Sequence, residues 1–175
     1  MGHREHRRKG PRAVPCAVLT VSDTRDETTD GSGRLIRNAL ARAGHPVVDY
    51  RVLRDDPGAI RRHVRGLVRR RSPARVLLIT GGTGLAPRDR TYEAVSSLLE
   101  KRLDGFGELF RTLSFRRIGP SAMLSRAVAG TFRGRMIFSL PGSEPAVRLA
   151  LERLILPELR HIAGLLPGED ARVGR

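Results

Sequence analysis

The sequence predicts an α/β fold, a three-layer α/β/α sandwich with a mostly parallel sheet and a C-terminal antiparallel hairpin. Three observations carry this. Short apolar runs alternate with amphipathic helical patterns through the first half of the chain, the order that gives a parallel sheet with helices on both faces. The runs CAVLTV and VLLIT are continuously apolar, as strands buried on both faces are. Further on, Ala129–Phe132 and Met136–Leu140 flank Arg133-Gly134 at hairpin spacing.

Taken in order, Cys16–Val21 is the first strand, bounded by the polar stretch SDTRDETTDGSG. Ser32–Ala43 follows as a helix with Leu35, Ile36, Ala39, Leu40 and Ala43 on one face, ended by Gly44. Val47–Leu53, rich in β-branched residues, is the second strand. Pro57–Arg70 places Ile60, Val64, Leu67 and Val68 on one helical face. Val76–Thr80 is the third strand and Thr91–Leu99 a helix. Gly105–Ser114 and Ser121–Val128 read as short helices joined by Ile118-Gly119-Pro120. A last helix starts at Glu144-Pro145, with proline in its first turn, and Pro157 should kink or restart it.

At 175 residues the chain is one domain, large enough to bury a core without staples. A single cysteine excludes a disulfide framework and a cysteine-built zinc site. No apolar run reaches the length of a membrane span, and no apolar stretch follows the basic start as in a signal peptide, so a cytoplasmic protein is expected. Residues 1–13 read as a disordered basic tail, 14–166 as the domain and 167–175 as a flexible end. The net charge of +15 attracts anions. No aromatic interleaves the arginines between Arg51 and Arg75, however, so the base-stacking pattern of single-strand nucleic-acid binders is missing and a nucleic-acid module is the weaker reading.

Four constellations carry candidate chemistry. Gly81, Gly82, Thr83 and Gly84 directly follow the third strand, where open α/β sheets bind ligands. Glycines there let backbone N–H groups turn toward an anion; the alternative is a plain tight turn between strand and helix. The string is neither a Walker loop nor a dinucleotide fingerprint. Asp89, in Pro87-Arg88-Asp89-Arg90-Thr91, either caps the next helix or, if Thr91 caps it, faces the glycine loop. Asp56 before Pro57 fits an N-cap with proline at N1, which leaves Asp55 unassigned at the end of a strand. Two carboxylates facing an anion loop suit Mg²⁺ held with phosphate. Ser125 and Arg126 are candidate phosphate donors; the alternative is a surface helix. Pro141-Gly142 would bring backbone against a ligand ring, and Ser22 and Ser32 lie in the segment leading into the first helix, whose N-terminus can hold an anion. No histidine spacing makes a metal site.

Beyond these readings, the order VLTVSDTR, DGSGRL, LITGGTGLAPRDRTYEA, GFGELFRTLSFRRIGPSAMLSRAVAG and FSLPGSEPAV resembles the MoaB/Mog family of molybdenum cofactor biosynthesis proteins over about residues 14–165, leaning to the MoaB-like branch. The resemblance implies a molybdopterin-binding fold and a homotrimer or hexamer. It implies adenylylation of molybdopterin by Mg-ATP, giving adenylyl-molybdopterin and pyrophosphate, with Mg²⁺ as cofactor and ATP and molybdopterin as substrates. The metal-insertion protein of the pathway would be a partner. The family's two functional aspartates fall on Asp55 and Asp89, which would hold Mg²⁺ or orient phosphates. Molybdopterin or nucleotide binding falls on Gly81, Gly82, Thr83, Gly84, Arg88, Ser125, Arg126, Pro141, Gly142, Ser22 and Ser32. The alternative within the same pathway is a pterin-binding carrier that transfers nothing.

Overall fold

The computed structural model describes residues 10–167. Its six-stranded sheet has the order β2-β1-β3-β6-β5-β4. Strands β1 (Cys16–Val21), β2 (Val47–Leu53), β3 (Val76–Thr80) and β6 (Arg135–Leu140) run parallel. β5 (Val128–Phe132) pairs antiparallel with β6 as the expected hairpin, and β4 (Lys101–Arg102) pairs antiparallel with β5. The hairpin turn places both Arg133 and Gly134 at positive φ.

Alternation along the strands divides the core into two layers. Cys16, Val18, Val76, Leu78, Phe138 and Leu140 point to one face. There they meet α1 (Gly31–Arg42) through Ile36 and Leu40, α4 (Asp104–Ile118) through Phe106 and Phe110, and the C-terminal helices α5 (Glu144–Ala150) and α6 (Leu156–Leu165). Ala17, Leu19, Val21, Leu77 and Ile79 point to the other face, against Ile60, Val64 and Leu67 of α2 (Pro57–Arg69) and Ala94 and Val95 of α3 (Thr91–Ser96). Both faces are covered, which is why the central strands carry unbroken apolar runs.

Several elements differ from expectation. β4 is two charged residues whose pairing to Gly130 and Thr131 is a tertiary event without a local signal. The helix read over Gly105–Ser114 continues to Ile118 and stops where Gly119 takes φ 61°. The helix read over Ser121–Val128 is a 3₁₀ turn, Gly119–Leu124, followed by extended backbone at Ser125 that leads into β5. Pro157 restarts rather than kinks the last helix. It lacks an N–H for the preceding turn, and Leu151–Ile155 winds as a π-helical turn between α5 and α6. Within the expected tail, the Pro11 carbonyl accepts the Arg160 Nε–H at 3.0 Å, and Val14, the first residue of the expected domain, is fully buried. Residues 1–9 and 168–175 of the expected tails lie outside the described residues.

Candidate functional site

β1 and β3 are neighbours whose onward connections leave in opposite directions, β1 toward β2 and β3 toward the β4–β6 side. A crevice opens at the carboxyl ends of such a pair. Here it is a cleft of about 300 Å³ lined by Thr20–Arg25, Asp55, Thr80–Gly82, Arg88, Asp89 and Gly142. It thus gathers Ser22, Asp55, Gly81, Gly82, Arg88, Asp89 and Gly142 of the sequence-derived set.

The walls are built by short polar bonds. Asp55 reaches across from the end of β2. Its Oδ2 accepts the Arg90 N–H at 3.1 Å and its Oδ1 the Thr91 hydroxyl at 3.1 Å. Asp55 therefore supplies the donor satisfaction that α3 lacks from its own N-cap, Arg90, whose side chain makes no capping bond. This overturns the expectation that Thr91 or Asp89 caps α3. Asp89 instead closes its own turn: its Oδ2 accepts the Ala86 N–H at 3.2 Å and its N–H bonds the Ala86 carbonyl. Asp56 caps α2 through the Ala59 N–H, as read from the sequence.

Burial pushes the Asp55 carboxyl above the ordinary carboxylate range, and the charges of Asp23 and Asp89 push the same way. The bonds from Arg90 and Thr91 only partly offset this. A cation at the cleft would relieve that repulsion. Among the described residues no cluster of three or more metal-ligating side chains exists. A pair of carboxylates fits Mg²⁺, which completes its shell with water and phosphate oxygens.

The glycines are needed first for protein packing. A Cβ on Gly81 would sit 2.1 Å from the Val21 carbonyl oxygen, and its φ is 104°. A Cβ on Gly82 would sit 2.1 Å from both Asp55 Oδ2 and Thr91 Oγ1, at φ 60°. A Cβ on Gly84 would meet Asp89 Oδ2 at 2.4 Å. Glycine thus lets the two carboxylates close on the loop itself.

Ser32 does not face the cleft. It is buried at the start of α1 and donates to the Gly142 carbonyl at 2.8 Å. The Thr80 hydroxyl donates to the Pro141 carbonyl at 2.9 Å. Ser32 and Thr80 together fix the Pro141-Gly142 backbone at the cleft edge. The Ser22 Oγ accepts the Thr24 and Arg25 N–H groups, shaping the loop that carries Asp23.

Ser125 and Arg126 belong to a second cleft of about 410 Å³, lined also by Tyr92, Arg102, Arg111 and Met123. The Arg126 guanidinium is engaged within the protein: Nε donates to the Thr83 carbonyl at 3.0 Å, and further N–H groups bond the Gly84 and Asp89 carbonyls and the Glu93 carboxylate. In this structure the Arg126 donors, expected to meet phosphate, have carbonyl partners on the glycine loop and a carboxylate partner in Glu93. Arg102 bonds the Tyr92 hydroxyl at 3.1 Å, and that bond lowers the phenol's pKa.

Each cleft holds one buried hydroxyl without a hydrogen-bond partner among the described residues, Thr20 in the first and Ser125 in the second. Such groups are costly unless something fills the place. Sequence reasoning missed Thr20, Tyr92, Arg102 and Arg111, and gave Asp23 no task. Asp23 was findable: like Asp55 it follows the end of a parallel strand, and its carboxylate accepts the Asp55 N–H at 3.2 Å.

Fold and cleft together define a molybdopterin-binding domain, and comparison with known proteins agrees. The family model described as "Probable molybdopterin binding domain" matches residues 17–161. Molybdenum cofactor biosynthesis protein B of Bacillus anthracis is 50% identical over 159 residues, 90% of this chain and 94% of its own. A crystal structure of a molybdenum cofactor biosynthesis protein B superposes with TM-score 0.83 at 50% identity, over 87% of this chain and 95% of that one. The tungsten cofactor synthesizing protein MoaB from Pyrococcus furiosus gives TM-score 0.77 at 38% identity, over 87% and 96%. The chain belongs to the MoaB family of molybdenum cofactor biosynthesis proteins. Among the described residues no helix is long and apolar enough to cross a membrane.

Proposed function

We propose that this protein binds molybdopterin and adenylylates it with Mg-ATP, acting in the cytoplasm ahead of metal insertion. A phosphate oxygen of molybdopterin attacks the α-phosphorus of ATP. The new P–O bond forms as the α–β bridge bond breaks, and pyrophosphate leaves with the electron pair. The observation that carries the reading is the convergence of Asp55 and Asp89 on a glycine-lined cleft at the strand switch point.

Both substrates are anions, so positioning and charge neutralisation supply most of the catalysis. Mg²⁺ held by Asp55 and Asp89 would supply charge neutralisation at the phosphates. Arg25 and Arg88 reach the same cleft and give further positive charge. The Pro141-Gly142 backbone offers a flat edge for a ring, held by Ser32 and Thr80. The second cleft, with Arg102, Arg111 and the Ser125 hydroxyl, suits an anionic pterin. The glycine loop lies between the two, where the reacting groups would meet.

The same reading extends to a homo-oligomer. Exposed large apolar side chains on α4 and the 3₁₀ turn, among them Phe115, Ile118, Met123 and Leu124, support self-association, which the family resemblance makes a homotrimer or hexamer. Light scattering on the purified protein tests this. The metal-insertion protein is the expected downstream partner.

The competing reading is a pterin carrier without transfer. One observation favours it: Asp55 and Asp89 both have structural tasks, at α3 and at the Ala86 turn. Mg-ATP-dependent pyrophosphate release with molybdopterin separates the two. Release at a rate that depends on both substrates supports transfer, and tight molybdopterin binding without release supports the carrier.

A further inference from the structure

We infer that Arg126 is a positioning residue, which sets the glycine loop and Asp55 in working geometry from the side opposite Asp55, at the wall of the second cleft. The inference rests on the adenylylation reading for its kinetic consequence, but not for its geometry.

Arg126 lies in the extended stretch between the 3₁₀ turn and β5. Its fork takes carbonyls from both ends of the loop that joins β3 to α3: Thr83 and Gly84 at the start, Asp89 at the finish. Between those ends Leu85, Ala86, Pro87 and Arg88 are exposed and make few bonds of their own. Three carbonyl oxygens gathered at one point repel one another. A guanidinium neutralises them, and its planar fork reaches several at once. Glu93 holds its outer side and the Tyr92 ring lies 4.8 Å beneath it, so the group is fixed in place.

The peptide bond carries the consequence further. In a trans peptide the C=O and the following N–H point in opposite directions. Where Thr83, Gly84 and Asp89 aim their carbonyls at Arg126, the N–H groups of Gly84, Leu85 and Arg90 are aimed away from it. For Arg90 the far end is visible: its N–H donates to Asp55 Oδ2 at 3.1 Å. A chain therefore runs from the Arg126 cation through the Asp89–Arg90 peptide to the Asp55 carboxylate. The Gly84 and Leu85 amides are turned by the same means to the side opposite the clamp, as donors for an anion.

This differs from direct phosphate binding in what a lysine can replace. Lysine keeps the positive charge but not a fork that spans three carbonyls. The test compares Arg126→Ala and Arg126→Lys with Arg148→Gln, an exposed arginine on α5 that removes the same charge elsewhere. Amide hydrogen exchange on the ligand-free protein is measured first. Both Arg126 variants should exchange the Ala86, Asp89 and Arg90 amides at least about tenfold faster, while core amides of β1 and β3 and all amides of Arg148→Gln keep their wild-type rates. In pyrophosphate release both should lose on the order of 10²-fold in kcat, the scale of a small misplacement of reacting groups, with KM for either substrate changing less than about threefold.

Unchanged exchange at these amides overturns the inference. So does full turnover in Arg126→Lys, or a loss confined to the KM for molybdopterin, which marks a phosphate contact. If the wild-type protein releases no pyrophosphate, the adenylylation reading fails, and the exchange rates alone decide whether Arg126 sets the loop.

Discussion

Three aspartates next to the candidate site allow one chemical change to be made three times. Asp55→Asn, Asp56→Asn and Asp89→Asn each remove a charge and keep the size. The structure gives the folding consequence of each. At Asp55 the asparagine carbonyl takes the Arg90 N–H, and its amide donates to the Thr91 hydroxyl, which accepts as well as it donates. The loss is the strength of two charge-assisted bonds, about 1 kcal/mol. It is offset in part because the repulsion from Asp23 and Asp89 disappears. At Asp89 the carbonyl oxygen still takes the Ala86 N–H. At Asp56 asparagine caps α2 comparably, and the exposed pair with Arg62 at 3.7 Å is worth less than about 1 kcal/mol. All three variants should therefore melt within about 2–4 °C of the wild type.

Turnover should separate them. Asp55→Asn and Asp89→Asn should lose at least about 10²-fold in pyrophosphate release, as for removal of a preorganised electrostatic contact. Asp56→Asn should stay near the wild-type rate, because its carboxylate faces the α2 backbone and does not line the cleft. The assay is initial-rate pyrophosphate release from Mg-ATP with molybdopterin, alongside a thermal melt. Loss of activity in Asp56→Asn with Asp55→Asn unaffected would place the reacting phosphates at the wrong carboxylate. Full activity in folded Asp55→Asn and Asp89→Asn would reduce both side chains to the capping and turn bonds described above.

Three further outcomes follow from the geometry. Gly82→Val should destabilise the fold by about 2–3 kcal/mol in urea unfolding, since a left-handed φ and the loss of the Asp55 bonds to α3 add together; wild-type stability would mean that the loop relaxes freely. His45 accepts the Val14 N–H on Nδ1 at 3.1 Å, and burial, with Arg160 adding, holds its pKa below the ordinary 6.5. The unfolded chain binds that proton first, so stability is complete above pH 6.5 and is lost as pH falls below it. His45→Asn should reduce this slope between pH 7 and 5 without removing it, because His63 is also depressed by burial, and an unchanged slope contradicts the assignment. Arg75→Ala should lose about 1–3 kcal/mol, because Nη2 alone bonds the Ala163, Leu166 and Pro167 carbonyls at the end of α6, whereas Arg65→Ala on the exposed face of α2 should stay within about 0.5 kcal/mol in the same denaturation series.

Much of this architecture was legible because its causes are local. The apolar runs of β1 and β3, the Asp56-Pro57 helix start and the Arg133-Gly134 turn each declare themselves within a few residues. What escaped depends on distant chain. β4 exists because Gly130 and Thr131 pair with Lys101 and Arg102, and nothing in two charged residues announces that. The 3₁₀ turn breaks a segment whose composition suits a helix. At the site, sequence found the residue types but not their tasks. Asp89 and Thr91 are a plausible cap in sequence, yet the cap comes from Asp55, 36 residues away from Thr91. Ser32 and Gly142 are 110 residues apart and joined by one bond. A capping rule limited to neighbours in sequence cannot see either.

The charge surplus is resolved by the same distinction. A net charge of +15 reads, in sequence, as a field for anions. In the structure part of it is inward-facing work on backbone. Arg75 closes the end of α6, and Arg135, largely buried, bonds the Leu67 and Ser72 carbonyls where α2 ends. Arg160 holds the Pro11 carbonyl and Arg126 the glycine loop. Helix ends and tight loops present groups of unsatisfied carbonyls, and a planar fork meets two or three with one side chain where an ammonium acts as a point charge. That geometry gives a physical use for arginine over lysine at these positions, independent of any nucleic acid. The arginines on the outer face of α2 take no part in it; opposite them Ile60, Val64 and Leu67 pack into the core, so that face is the solvated side of an amphipathic helix. Under the adenylylation reading, the positive charge that meets the substrates belongs to the few arginines that line the two clefts, and charge count alone is a poor guide to which they are.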